Sequence, residues 1–162
     1  IRANLDDPKA LELATAFGTG LAIHAKQRPG SLRQACAKLG VPALTMEAGE
    51  ALRFDANAVE VGVRGVERLV ACRAGREIEA IPTLMIRSSK WLRAKRSGLF
   101  WSEVRPGDHV STGQIVGRLT DLLGDYSVKV KSPADGVVLG LNLLPTVHQG
   151  DALLNLGFLP VD

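Results

Sequence analysis

The spacing of apolar residues divides the chain into two stretches with different grammars. In the first, apolar positions at helical intervals alternate with short apolar runs. Asp6-Asp7-Pro8 predicts a helix start, with an acidic N-cap followed by a proline where a missing N–H does no harm. The helix continues from Lys9 to Phe17 and stops at Gly18 and Gly20. Leu21-Ala22-Ile23 reads as a short buried strand. Pro29-Gly30-Ser31 opens a second helix, with Leu32, Ala35, Cys36 and Leu39 at helical spacing and Gly40 as its stop. Val41 to Met46 reads as an interior strand, apolar on both faces as parallel sheets require. Asp55 caps a long third helix in which Val59, Val63, Val66, Leu69 and Val70 form one apolar face. Arg73 and Arg76 near its end suit the helix dipole. This is α/β patterning, with too few strands for a closed sheet.

From Ile81 onward strands become short and turn signals recur, as in Arg105-Pro106-Gly107-Asp108, Leu123-Gly124-Asp125 and Ala134-Asp135-Gly136. No amphipathic helix is evident there. The boundary is expected between Ala74 and Pro82, which gives an α/β region over 1–75 and an all-β region over 76–162. The second region also repeats: Val104 to Val110 and Val147 to Leu153 share the pattern V-x-x-G-D-x-Φ. Their glycines, Gly107 and Gly150, stand 43 positions apart. Glycine can supply the positive φ of such a turn, and aspartate can bond its backbone. Each copy is too small to bury its own sheet face, so the two are expected to pack together as equivalent turns.

Composition narrows the classes. The 162 residues are 46% apolar and 23% charged, close to a globular average, so wholesale disorder is excluded. A net charge of +3 and seven aromatic residues argue against nucleic-acid binding. The longest apolar runs fall far short of a membrane span, and the chain does not open on a basic-then-apolar leader. Cys36 and Cys72 form neither a CxxC pair nor a disulfide framework, which suits a reducing cytoplasm; both sit on apolar helix faces and read as core. The sequence starts at Ile1 rather than Met, so a piece of a longer chain, or one with its leader removed, is expected.

Several residues carry candidate chemistry. Glu47 follows the apolar run ending at Met46, at what would be the C-terminal edge of a parallel sheet, where catalytic groups gather. Glu50 reads as a solvated loop charge. His24, His109 and His148 are too scattered to bind zinc together and read as structural or solvent-facing. Arg87 to Arg96 holds five positive charges in ten residues. Read as a strand, these do not fall on one face, so an exposed basic edge strand is expected.

Two resemblances follow from the motifs. Gly107-Asp108-x-Val110-x-x-Gly113-Gln114, followed by Ser132-Pro133-Ala134-Asp135-Gly136-Val137-Val138, resembles biotinyl/lipoyl-type barrel-sandwich domains. Those domains carry their cofactor on a hairpin lysine. Here the intervening Thr120 to Tyr126 contains no lysine, and Lys129 and Lys131 lie on the next strand, so a swinging-arm carrier is not expected. Pro42-Ala-Leu-Thr45-Met-Glu47-Ala-Gly49, followed by a helix containing Val59, Gly62 and Gly65, resembles the succinylglutamate desuccinylase/aspartoacylase family. That family comprises zinc-dependent amide hydrolases with a carboxypeptidase-like α/β domain and a C-terminal β domain.

The resemblance runs from about Ala10 to Leu156. It implies an incomplete α/β half-domain followed by a barrel-sandwich domain, with Glu47 as catalytic general base and acid. The implied substrate is a small N-acylated amine or amino acid, the cofactor zinc. The family's His-x-x-Glu pair and later histidine precede the glutamate segment. This chain has no His-x-x-Glu, so the zinc ligands are expected upstream of Ile1 and the fragment alone is expected to be inactive. A partial sheet would leave apolar faces open to self-association, and homo-oligomers become possible. The alternative is a non-catalytic binding or adaptor module built on the barrel-sandwich fold.

Overall fold

A computed structural model of the chain describes residues 1–159. It is mostly β structure with three helices among the described residues, and it divides into two compact units, Ile1–Ile86 and the residues from Arg87 onward.

The first unit is built on a parallel sheet of three strands in the order β1 (Arg2–Ala3), β2 (Leu21–His24), β3 (Leu84–Ile86). Because β3 pairs with β2, the unit extends about ten residues past the expected boundary at 75/76. Helix α1 (Pro8–Phe17) forms as its signals predict: Asp7 caps it by accepting from Lys9 N at 3.0 Å, and Gly18 ends it at φ 76°. Helix α2 (Leu32–Lys38) is capped by Ser31, whose hydroxyl accepts from Gln34 N. Its expected apolar face is not covered, since Leu32 and Leu39 are both exposed. Helix α3 (Ala56–Arg73) is capped by Asp55, which accepts from Ala58 N. It packs on α1 through a close approach: a Cβ on Gly65 would stand 2.1 Å from the buried Phe17 ring, so only glycine fits there. Leu69 joins the core of Ala3, Leu5, Ala10, Ala14 and Ala22. The remaining residues of the expected face do not: Val59, Val63, Val66 and Val70 are 58, 52, 56 and 57% exposed.

The expected interior strand Val41 to Met46 is not one. The segment meets the sheet at a single antiparallel bridge, Thr45 to Arg2. The reason is the partner: β1 is two residues long and offers only one such pair on its outer side.

The second unit consists of two four-stranded antiparallel sheets around one core. The first sheet has the order β10 (Thr146–Val147), β5 (Gly98–Ser102), β7 (Ile115–Thr120), β8 (Ser127–Lys131). The second has the order β4 (Ser89–Arg93), β11 (Ala152–Phe158), β9 (Gly136–Leu141), β6 (His109–Val110). Val116, Leu119, Val138, Leu153, Leu154 and Leu156 are at most 1% exposed, and Leu153 to Gly157 of β11 are buried in succession. The sheets do not close into a barrel; β4 and β8 end their sheets as edges.

The two sheets have matching pairing schemes. Each of β5, β6 and β7 corresponds to β9, β10 and β11, and β8 to β4. A bulge separates the pairs Ile115–Lys131 and Gly117–Val130; its counterpart separates Ala152–Arg93 and Leu154–Leu92. Ile115 and Ala152 stand 37 positions apart, and that offset corrects the expected one of 43. The turn equivalent to His148–Asp151 is Ser111–Gln114, not Arg105–Asp108. Gly113 N donates to Ser132 O and Gly150 N to Ala94 O, both at 2.8 Å. Thr112 N donates to Asp135 Oδ1, and Gln149 N correspondingly to Ser97 Oγ. The Arg105 turn misled because its local chemistry is the same: Asp108 and Asp151 each accept from the backbone N–H three residues earlier at 2.7 Å, with Gly107 and Gly150 at φ 95° and 93°. Local turn chemistry does not specify which strands a turn joins.

Candidate active site

Glu47 is positioned by the bridge between Thr45 and Arg2. Arg2 N donates to Thr45 O at 2.8 Å and Thr45 N to Arg2 O at 2.9 Å. Glu47 is two residues beyond Thr45, so its side chain emerges on the same side of the pleat as that of Arg2. Arg2 Nε donates to Glu47 Oε2 at 2.6 Å, a charge-assisted bond. The carboxylate remains 61% exposed, open to water, whereas the Arg2 side chain is 30% exposed.

Its place in the sheet differs from the expectation. The segment runs antiparallel to β1, so Glu47 lies toward the N-terminal ends of the parallel strands rather than at their C-terminal edge. That C-terminal edge carries His24, the last residue of β2. His24 Nδ1 accepts from Leu5 N at 3.2 Å, and Nε2 stands 3.7 Å from Asp6 Oδ2. His24 and Glu47 are thus at opposite ends of the sheet and do not form one constellation. Glu50 is in a loop and faces Arg53 at 3.4 Å.

His109 and His148 are exposed, and His148 contributes its backbone N–H to the Asp151 turn. Among the described residues no group of three or more His, Cys, Asp and Glu side chains could hold a metal ion. Cys36 and Cys72 are free and half-buried rather than core. Arg2 is the residue that sequence reading passed over. It is 45 positions from Glu47, and nothing in the pattern around Ile1 to Leu5 announces a pair that only the Thr45 bridge creates.

Asp135 is held below its ordinary range, chiefly by the hydrogen bond from Thr112 N and then by that from Thr112 Oγ1.

In sequence, residues 2–73 match the succinylglutamate desuccinylase/aspartoacylase catalytic domain. That match covers 72 of the 162 residues. The matched segment spans β1 through α3 and contains both Arg2 and Glu47.

Solved structures agree on the fold. The apo ectoine utilization protein EutE (DoeB) from Ruegeria pomeroyi is similar with a TM-score of 0.82 at 19% identity, covering 97% of this chain and 54% of that one. A succinylglutamate desuccinylase/aspartoacylase from Rhodobacter sphaeroides aligns with a TM-score of 0.79 at 22% identity, over 100% of this chain and 53% of that one. An aspartoacylase family protein from Mesorhizobium loti aligns with a TM-score of 0.73 at 19% identity, over 95% and 48% respectively. The chain thus spans about half the length of the solved structures it resembles. No curated protein matches it in sequence. Among the described residues no helix is long and apolar enough to cross a membrane.

Proposed function

We propose that this chain is the glutamate-bearing portion of a deacylase that hydrolyses an N-acyl amide bond in a small amine or amino acid. The observation that carries the reading is the family match across residues 2–73, with Glu47 exposed to water and held by Arg2 inside it. In this reading the Glu47 carboxylate takes a proton from the attacking water as its oxygen bonds to the acyl carbon. It passes that proton to the nitrogen as the C–N bond breaks, releasing a carboxylic acid and an amine. The Arg2 bond engages Oε2 and orients the carboxylate, leaving Oε1 available for the proton.

The residues described here do not fit a metal on their own, since no three ligands converge and the charged partner of Glu47 is a guanidinium. Zinc enters this proposal only as an ion held by residues outside this set, and no step above is assigned to it.

The test is a panel of N-acyl amino acids given to the full-length gene product. Glu47→Gln is expected to lower kcat by about a hundredfold or more, the scale of a lost proton-transfer group, with zinc content and circular dichroism unchanged. Full activity in that variant overturns the assignment. The 162-residue chain alone is expected to bind zinc no more tightly than about micromolar and to hydrolyse none of the panel.

For the second unit we propose the biotinyl/lipoyl barrel-sandwich type, a reading supported by its matched hairpins. The β7–β8 turn, where a carrier holds its lysine, is Asp121 to Tyr126, and Lys129 and Lys131 lie within β8. Biotin or lipoyl ligase is therefore expected to add no mass at either lysine; labelling would restore the carrier reading.

A further inference from the structure

The edge strands β4 and β8 flank a cleft of about 430 Å³ on the open side of the second unit. Residues 90–93 of one strand and 128–131 of the other line it, so it follows both edges for four residues. Its floor is apolar: Leu119 is buried, and Val130 and Leu92 pack against the same core. Its rim is cationic, with Lys90, Arg93 and Lys95 on one side and Lys129 and Lys131 on the other. Among the described residues no carboxylate pairs with any of these five cations. Five unneutralised charges around an apolar floor make a surface that selects a partner both acidic and apolar.

The edge narrows the choice further. Strand β8 alternates cleanly, with Lys129 and Lys131 outward and Val128 and Val130 inward, and the backbone groups on its outer side face no strand among the described residues. An unpaired edge is a template for another strand. A second copy of this chain is a poor occupant, because it would bring its own lysines to the same edge. Nucleic acid would satisfy the lysines but leave the apolar floor unused.

We propose that the β8 edge takes up an extended segment of another protein in which acidic and apolar residues alternate. Its backbone pairs with β8, its apolar side chains cover the half-buried Val128 and Val130, and its carboxylates meet the lysines of β8. Lys90 and Arg93 of β4, with Lys95 just beyond its end, form the facing wall. The proposal is independent of the hydrolase reading, since it uses no residue of the first unit.

The test titrates the 162-residue chain into a fluorescein-labelled peptide of about seven residues alternating glutamate and valine, roughly the length of an ordinary strand. Anisotropy is expected to show saturable binding that weakens about tenfold or more between roughly 20 and 200 mM NaCl. K129E/K131E should weaken it by about tenfold or more, and K129Q/K131Q, which keeps two polar exposed side chains, by a smaller factor. Hydrogen exchange should show new protection at β8 amides on binding. A peptide of equal composition with its glutamates and valines in separate blocks should bind about tenfold more weakly, because only alternation matches the pleat. Equal binding of the block peptide, unchanged binding in both lysine variants, absence of saturation, or tighter binding of a single-stranded oligonucleotide of equal charge would each overturn the proposal.

Discussion

The two units use similar amounts of chain and bury apolar surface very differently. The second has a closed core between its sheets: two half-symmetric hairpin sets face each other, and Val116, Leu153, Leu154 and Leu156 have no exposed surface. Trp101, Leu122, Leu123, Leu143 and Leu144, outside that core, stay exposed. The first leaves Val59, Val63, Val66 and Val70 of α3, and Leu32 and Leu39 around α2, largely exposed. A three-stranded sheet with two strands of two or three residues cannot cover a helix of eighteen. The difference shows that a repeat supplies its own partner, whereas a strictly α/β segment depends on how many strands lie beside it.

The sharpest way to break this contrast is to truncate one side chain in each unit. Leu154→Ala is expected to cost about 2–5 kcal/mol in denaturant unfolding, because a fully buried leucine leaves a cavity. Val63→Ala, on the exposed helix face, is expected to stay within about 0.5 kcal/mol. Equal losses would mean that the helix face is covered in solution. That outcome would also bring on the self-association expected of the α3 valines. Sedimentation of V63K/V70K, a pair placing two charges on the stripe, should then show less association than the parent chain.

Next in size are the glycines. Gly65→Ala is expected to destabilise by about 1–3 kcal/mol through overlap with Phe17, and F17L should recover part of the loss. Gly113→Val and Gly150→Val are expected to lose more than about 1 kcal/mol each, since both residues have positive φ in equivalent turns. Gly107→Val should act similarly, because its backbone has the same conformation despite its different place in the sheets. A large gap between Gly113 and Gly150 would weaken the symmetry.

The smallest effect concerns Asp135. Its folded pKa lies below the ordinary 3.8, so its bonds from Thr112 contribute stability above that value and lose it as pH falls through the folded pKa. Thr112→Val removes only the hydroxyl bond and is expected to move the Asp135 titration part of the way back up, read by NMR; an unmoved titration would assign the shift wholly to the backbone N–H.

Much of this protein was legible before any coordinates. Helix starts at Asp7, Ser31 and Asp55 follow from cap chemistry, which acts over three residues and needs nothing else. The edge placement of β4 follows from its charges, and the family resemblance from Pro42 to Gly49 taken in order with the Gly62 and Gly65 helix and the later turn motifs. The Glu47 environment was not legible, because Arg2 is brought to it by one bridge between segments far apart in the sequence. Nor was the register of the repeat, since three turns share one local chemistry and only strand pairing separates them.

The sequence by itself determined the helix starts and the turns, because each depends on neighbours within a few residues. Tertiary structure alone decided that Val41 to Met46 would be a bridge rather than a strand, and that a valine face would stay open. It also decided that Gly150 would mirror Gly113 rather than Gly107. Those outcomes depend on which distant segment offers free backbone groups or apolar surface, and the local pattern carries no record of that.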